Sequence, residues 1–528
     1  MTPIKAEKPI RPQHALVGIV AVSLAAILSS LTSGMLSVGL EDLRGAWHLG
    51  IDDAAYVPTA FNAAQMFMGP ISIMLAARFG HRRVLVFAGG VFALTMLLLP
   101  LLPHIVPILT LLVVAGLAAG TFYPLCLSFI TRNLPLSLVT YGIAAYNFDL
   151  LGTNHIVQSL ESFYIDNLSW QWLFWNQALV AFPFLVCVYF GITHTPQHEL
   201  LPKFSYRGIM YMACSLTLFY IALDQGERLD WFNNGLINGL FIGGAFLLIA
   251  AFVRRSYKPN PHLDFSYLRG RNLLLLAVLL VTFRTMLLRI SLIIPTFLQT
   301  VHQYRSTELG NLFMLSMGPF LIAMPLCAYL LKKYDLRLML MIGFAILALC
   351  NFYDAHSLVT WIGIDFVPAQ MCGAIGICMV AMGTMSGIVF EGRMTGAYRN
   401  RAGAYCQGAF FQAVRLFGSA SAVSALRRYL LVREHFWQTQ LASGSAWFDD
   451  LEQRVQHLGT AVMPQAASVG NAASIAMGLT VKNLKQQALT LACNDCFMTL
   501  AWVCVVSLLA VAMMTKVPLP EKLPAADA

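Results

Sequence analysis

Residues 136–185, LSLVTYGIAAYNFDLLGTNHIVQSLESFYIDNLSWQWLFWNQALVAFPFL, decide the fold. They read as two apolar helices joined by a short aromatic turn. The first helix nonetheless carries Asn147, Asp149, Asn154, His155, Gln158 and Glu161. Polar and ionisable groups in lipid are costly, so they normally face a bundle interior or a wet cavity. The hairpin is therefore expected to line a pathway through a membrane bundle.

The rest of the chain agrees with that setting. It has 528 residues, of which 58% are hydrophobic and 11% charged, a composition far from that of soluble domains. Apolar runs of 18 or more residues recur, each long enough to cross a hydrocarbon layer of about 30 Å. Only helices or closed barrels satisfy their backbone groups in lipid, and these runs are helical in length. An all-α polytopic membrane protein follows. The net charge of +9 sits in short loops between spans and is no nucleic-acid signal. The eleven cysteines lie mostly inside apolar runs as small hydrophobes. No nucleophile–base set and no metal-ligand cluster is evident, so neither an enzyme nor a metal or other cofactor is expected. The first span lacks a small-residue cleavage site and is expected to stay in place.

Fourteen spans are expected. They lie near 14–38, 54–77, 83–102, 106–130, the two halves of the opening hairpin, 206–224, 232–253, 272–299, 308–331, 336–355, 362–390, 402–426 and 494–515. Residues 1–13 form a basic tail, 254–271 a polar linker, 427–490 the one long segment outside the membrane, and 516–528 a second tail. An even count puts both termini on one side. Arg78, Arg82, Arg83, Arg132, Arg254, Arg255, Lys332, Lys333, Arg399 and Arg401 share that side, whereas the short opposite loops hold only Arg44, Arg228 and Arg305. Basic loops stay in the cytoplasm, so both termini are expected there and 427–490 outside.

Asp149 and His155 are six residues apart, about 120° in helical projection, and so occupy different faces. Asp149 lies mid-span. It reads either as a proton site whose carboxylate alternates between charged and neutral, or as half of a permanent ion pair with an arginine. Arg284, Arg289 and Arg415 also lie within spans. Arginine keeps its proton, so each needs a partner: Asp149, Glu161 or an anionic substrate. Arg284 has the alternative of reaching the inner headgroups. Glu161 and Asp166 fall near the outer mouth, where a solvated role is expected. Gly116 and Gly120 form a GxxxG close-packing site.

Several stretches resemble the major facilitator superfamily, and within it the fourteen-span drug:proton antiporters of the EmrB/QacA-like group. The loop IMLAARFGHRRVL is similar to the superfamily's GxLADRxGRR-type loop through Arg78, Gly80, Arg82 and Arg83. LTSGMLSVGLEDL at 31–43 resembles the group's LDxTIVNVALPxI, with Thr32 in place of its acid. LSWQWLFWNQ at 168–177 is similar to SWRWIFxIN, although Gly152, Thr153 and Asn154 replace the glycine–proline stretch that precedes it. IIPTFLQTVHQYRSTELG resembles PLYLQxVxGYSxxxAG through Pro295, Leu298, Gln299, Val301, Tyr304 and Gly310. QAVRLFGSASAVSAL matches the group's span-13 segment through Arg415 and Gly418. QQALTLACNDCF resembles RQAxxxAYNDxF through Gln487, Ala488, Ala492, Asn494, Asp495 and Phe497.

The resemblance implies a major facilitator fold. Residues 14–193 and 272–515 would form six-helix halves rocking about a midplane site, with 206–253 as two extra central helices. It implies proton-driven efflux of toxic amphipathic or aromatic compounds. In Gram-negative cells it further implies an EmrA-like periplasmic adaptor and a TolC-like outer-membrane channel, with 427–490 as the adaptor contact. Proton-coupling candidates are Asp149, His155 and Glu161. Substrate-pathway candidates are Thr32, Asn62, Tyr146, Asn147, Asn154, Gln158, Arg289, Gln299 and Arg415, and the gating loop comprises Arg78, Gly80, Arg82 and Arg83. The rival readings are an organic-acid importer or uniporter on the same fold, and a non-transporting receptor or scaffold.

Overall fold

A computed structural model describes residues 15–134, 136–192, 206–257, 270–394, 401–443 and 469–516. The tail 1–13 lies outside them, as do most of the linker 254–271 and all but the first residue of the tail 516–528. So does the middle of the expected outer segment 427–490. Among the described residues every regular element is a helix. In chain order these are α1 (Ala15–Val38), α2 (Tyr56–Phe79), α3 (His81–Leu98), and α4, built of Ile105–Ala119 and Phe122–Asn133. Then come α5 (Leu136–Asn167), α6 (Trp172–Gly191), α7 (Tyr206–Gly226) and α8 (Gly235–Tyr257). α9 runs as Arg271–Leu288, a π-helical turn Arg289–Ile293, and Ile294–His302. α10 is Ser306–Leu315 and Met317–Lys333, followed by α11 (Leu336–Asp354), α12 (Gly363–Met394), α13 (Arg401–Ser443) and α14 (Val469–Ala512).

Eleven of these stretches are long and apolar enough to cross a membrane. The three that fall short are α2, α5 and α13. They carry Asn62 and Gln65, the Asn147-to-Glu161 series, and Arg415 respectively. Their polarity goes where lipid does not reach. α2 packs on α13 and α5 packs on α10 and α12, so the least apolar helices form the seam between α1–α6 and α9–α14. α12 is 94% buried over its most apolar window and stands at the centre.

Close approach at two places explains its glycines. A Cβ on Gly116 would stand 2.3 Å from the Phe61 carbonyl oxygen, and one on Gly120 2.8 Å from that of Gln65. The GxxxG of α4 thus seats its backbone directly on α2. The π-helical turn of α9 precedes Pro295. Proline has no N–H to give and its ring crowds the preceding turn, so the helix widens there.

α7 lies against both α2 and α13, whereas α8 packs on α7, with only 11% of its window buried. The described parts of the outer segment are helical: α13 and α14 run on as helices from the bundle. At about 1.5 Å per residue, helices of 43 and 44 residues are roughly twice the length a bilayer core needs. Arg433 and the Trp437 indole N–H both reach the Asp495 carboxylate at 2.6 Å and tie the two helices together. Below, the face from which α1 starts is called near, and the opposite face far.

Candidate functional site

A polar cluster fills the seam at mid-depth, assembled from both halves. Arg415 of α13 donates from Nη2 to Gln65 Oε1 of α2 (3.2 Å), and Gln65 Nε2 donates to the Ser29 hydroxyl of α1 (3.1 Å). The Arg415 guanidinium lies 3.7 Å from the ring centroid of Tyr123 of α4. That ring meets Tyr146 of α5 edge-on at 5.5 Å. Arg284 of α9, 8% exposed, has Arg415, Tyr123 and Tyr146 as its electrostatic neighbours. One turn away, the Ser33 hydroxyl donates to Asn62 Oδ1 at 2.8 Å.

α5 sends its polar residues to different helices, as its angular spacing requires. Asp149 and Thr153 face α1: the carboxylate lies beside Ser23, and the threonine hydroxyl donates to that of Ser30 at 3.0 Å. Asp149 is 9% exposed, and its Oδ2 has no hydrogen-bond partner. Among the described residues no arginine or lysine pairs with it. Asn147 reaches Met382 Sδ of α12 at 3.6 Å. His155 faces α10, where its Nδ1 is 2.7 Å from the Ser316 hydroxyl at the break between that helix's two pieces. Gln158 is buried, with its Oε1 unpartnered. Asn154 is half-buried.

Other expected residues sit elsewhere. Glu161 is not solvated at a mouth: it is 1% exposed, beneath the exposed Asp42 carboxyl and near Asp166. The short helix Leu40–Ala46 folds over it and removes it from water. Arg289 meets neither Asp149 nor Glu161. Its Nε bonds Asp354 Oδ2 of α11 at 2.5 Å and its Nη1 donates to the Ala369 carbonyl at 3.3 Å, sealed within the second half. Thr32 is buried with its hydroxyl donated to Leu28 O of its own helix at 2.7 Å. Gln299 is exposed near the far end of α9. Arg284 does not extend to headgroups; it is buried at the seam.

In the loop between α2 and α3, Gly80 takes φ +85°, a conformation that side chains with a Cβ rarely adopt. Arg82 stacks 3.9 Å from the Tyr189 centroid, while Arg78 and Arg83 are exposed. Sequence reasoning missed Ser23, Gln65, Tyr123 and Asp354. Gln65 had a signal, lying one turn from Asn62. Asp354 closes an apolar run and reads as a span end, and a tyrosine in a greasy helix carries no signal at all.

Two six-helix halves, a seam lined by their most polar helices and a mixed cluster at mid-depth define a helical membrane transporter. The chain belongs to the Major Facilitator Superfamily, whose description matches residues 22–419. It is 26% identical over 352 residues to the probable multidrug resistance protein EmrY of Escherichia coli K12, covering 66% of this chain and 67% of that one. Over 364 residues it is 24% identical to the multidrug export protein EmrB of Haemophilus influenzae, covering 69% of each. The colistin resistance protein EmrB of Acinetobacter baumannii aligns over 486 residues at 21% identity, covering 88% and 90%. In fold it is similar to the proton:xylose symporter XylE (TM-score 0.57, 12% identity, 96% of each chain covered). The human organic anion transporter MFSD10 is also similar (TM-score 0.54, 11% identity, 94% and 99% covered).

Proposed function

We propose that the protein exports toxic amphipathic or aromatic compounds across the inner membrane in exchange for protons. Both termini would be cytoplasmic and the far face would open to the periplasm. The observation that carries the reading is Asp149, a carboxyl at mid-depth with one oxygen unpartnered and, among the described residues, no cation beside it. A group held by no permanent ion pair is free to take up and release a proton as each face opens. The export names of the EmrB and EmrY relatives support the direction. In inverted vesicles, wild-type protein should take up substrate when the lumen is acidified. Asp149→Asn should lose that drive, by at least tenfold, and still bind substrate; undiminished drive in the variant would remove Asp149 from the mechanism. Substrate movement in the opposite sense would favour the importer.

The extension of α13 and α14 is assigned to an EmrA-like adaptor leading to a TolC-like channel. It supports this by exposing Val432, Phe436, Ile475, Met477 and Val481 beyond the bundle, apolar surface of the kind that marks contact sites. Removing the extension should leave vesicle transport intact while abolishing export to the medium. Equal loss of both would overturn the assignment.

A further inference from the structure

The face of α5 that meets α1 carries Asp149, Thr153, Val157 and Glu161 at strict four-residue spacing. Residues four apart stack on one side of a helix, and each of these meets α1 or the turn that follows it. Asp149 lies beside Ser23, and the Thr153 hydroxyl donates to that of Ser30 at 3.0 Å. The Ser30 hydroxyl donates in turn to Ala26 O at 2.6 Å. A Cβ on Gly34 would stand 3.0 Å from Val157 Cγ2, and one on Gly39 would stand 3.4 Å from Glu161 Cγ and from Leu173 Cδ1 of α6. The line thus joins a carboxyl at mid-depth to another near the far face, about 18 Å away at about 1.5 Å per residue. Glu161 is 1% exposed, and its Oε2 is buried without a hydrogen-bond partner. Its charged neighbours are Asp42, in hydrogen-bond contact with it from the short helix Leu40–Ala46, and Asp166 of α5. Among the described residues no cation acts on it. From α10, Thr307 donates to the Asp166 carboxylate at 3.4 Å. A Cβ on Gly310 would lie 2.8 Å from Ser159 Cα, so the backbone of α10 rests on α5 midway between Val157 and Glu161.

We propose that the α1–α5 contact line is the route by which protons from the far face reach Asp149, with Asp42 as entry, Glu161 as carrier, Val157 against Gly34 as plug, and the Thr153 and Ser30 hydroxyls as last link. Asp42 is exposed, and two carboxyls in contact can pass a proton from one to the other. A hydroxyl accepts a proton on a lone pair and gives up its own. It is therefore unchanged once the Asp149 carboxylate has become neutral. Glu161 and Thr153 are about 12 Å apart along the helix axis, a gap that water must bridge. The Val157–Gly34 contact leaves no room for it, so the route is shut in this structure. Both helices belong to the first half, and rocking alone does not separate them. What changes is α10. When the halves part at the far face, Gly310 lifts off Ser159 and frees the turn of α5 that holds Val157. Protons from that side then reach Asp149 only while the far face is open, which is what coupled exchange requires.

This inference rests on the reading of Asp149 as the proton site, and its test separates the two. The purified full chain in lipid nanodiscs is mixed into D2O and followed by stopped-flow infrared spectroscopy. The readout is the acid carbonyl band that Asp149→Asn lacks. A positioned proton carrier contributes about a hundredfold or more, so Glu161→Gln should slow deuteration of Asp149 by at least tenfold. Glu161→Asp, which keeps a carboxyl, should stay within about threefold of wild type. Val157→Ser puts a hydroxyl in the plug and should speed deuteration by at least fivefold. Asp42→Asn, at an exposed position, should slow it by at least threefold, and that variant decides where Glu161→Gln fails to fold. Deuteration at the wild-type rate in Glu161→Gln, or in Val157→Ser, would overturn the proposal. Acid bands that are complete in Asp149→Asn at every pH would overturn it together with the reading of Asp149. Slowed deuteration in Glu161→Gln beside vesicle uptake that ignores an acid lumen would sink the antiport reading alone. Drive lost in Asp149→Asn beside unchanged deuteration in Glu161→Gln would sink the route alone.

Discussion

Charge inside this bundle is answered in two ways, and the difference shows in single residues. Arg289 and Asp354 are 1% and 0% exposed and answer each other at 2.5 Å. Asp149 and Arg284 are nearly as deep and, among the described residues, have no opposite charge beside them. The first arrangement is structural. Asp354→Asn should cost about 3–5 kcal/mol, the usual penalty for leaving one member of a buried pair alone. The double variant Arg289→Met/Asp354→Leu should recover most of it. Thermal unfolding in detergent reads both, and an additive loss in the double variant would show that the two residues are not energetically paired. The sequence exposed the ionisable residues because each interrupts an apolar run. It could not say which one closes a pair. Arg289 and Asp354 are 65 residues apart, and the aspartate looks like the polar end of a span. Glu161 was misread for a related reason: its distance from a span end is legible, but the fold of Leu40–Ala46 over it is not.

At the scale of elements, spacing was the dependable signal. The GxxxG of α4 announced close packing, and α2 fills that place. A methyl at Gly116 would press on backbone that cannot move aside, so Gly116→Ala should destabilise by about 1–3 kcal/mol. Gly90 in α3 has open space around its missing Cβ. Gly90→Ala should instead stabilise by up to about 1 kcal/mol through helix propensity. Opposite signs from the same chemical change, measured as shifts in unfolding temperature, are the expected outcome; a stable Gly116→Ala would mean that α2 and α4 are not in contact. α5 contains no proline, and it runs unbroken for 32 residues. The break falls on its partner α10 at Ser316, where His155 supplies a polar neighbour. Apolar periodicity faded beyond residue 426, so the helical continuation of α13 and α14 was not legible.

For the whole molecule, alternating access requires the seam between the halves to open on one face while it closes on the other, and α7 stands across it at the far face. Thr59 of α2 donates to the Asp224 carboxylate. Gln225 Nε2 donates to Thr59 Oγ1 at 2.6 Å and to Ala55 O at 3.1 Å. Just beyond the helix, Arg228 pairs with Asp52 at 2.6 Å. These contacts bind α7 to the first half by a net of polar groups. Among the described residues its polar ties to the second half are the Ser424 hydroxyl, which donates to Leu223 O, the Arg427 charge near Asp224, and Arg428, which meets Glu227 at 3.4 Å on an exposed side chain. Both ion pairs have an exposed member and contribute little, whereas the buried Gln225–Thr59 hydrogen bond belongs to the α2 side, so rocking should part α7 from α13 and leave it riding on α2. On the near face the halves are held by Arg393, which donates to Thr131 O at 2.8 Å, and that contact should break in the alternate state. Disulfide trapping separates the two attachments. In a cysteine-depleted background, joining Leu223→Cys to Ser424→Cys should arrest transport, with recovery on reduction. Joining Thr59→Cys to Asp224→Cys should be tolerated, because both residues travel together. Arrest by the second pair and not the first would mean that α7 moves with the second half, and the seam would then run between α7 and α2.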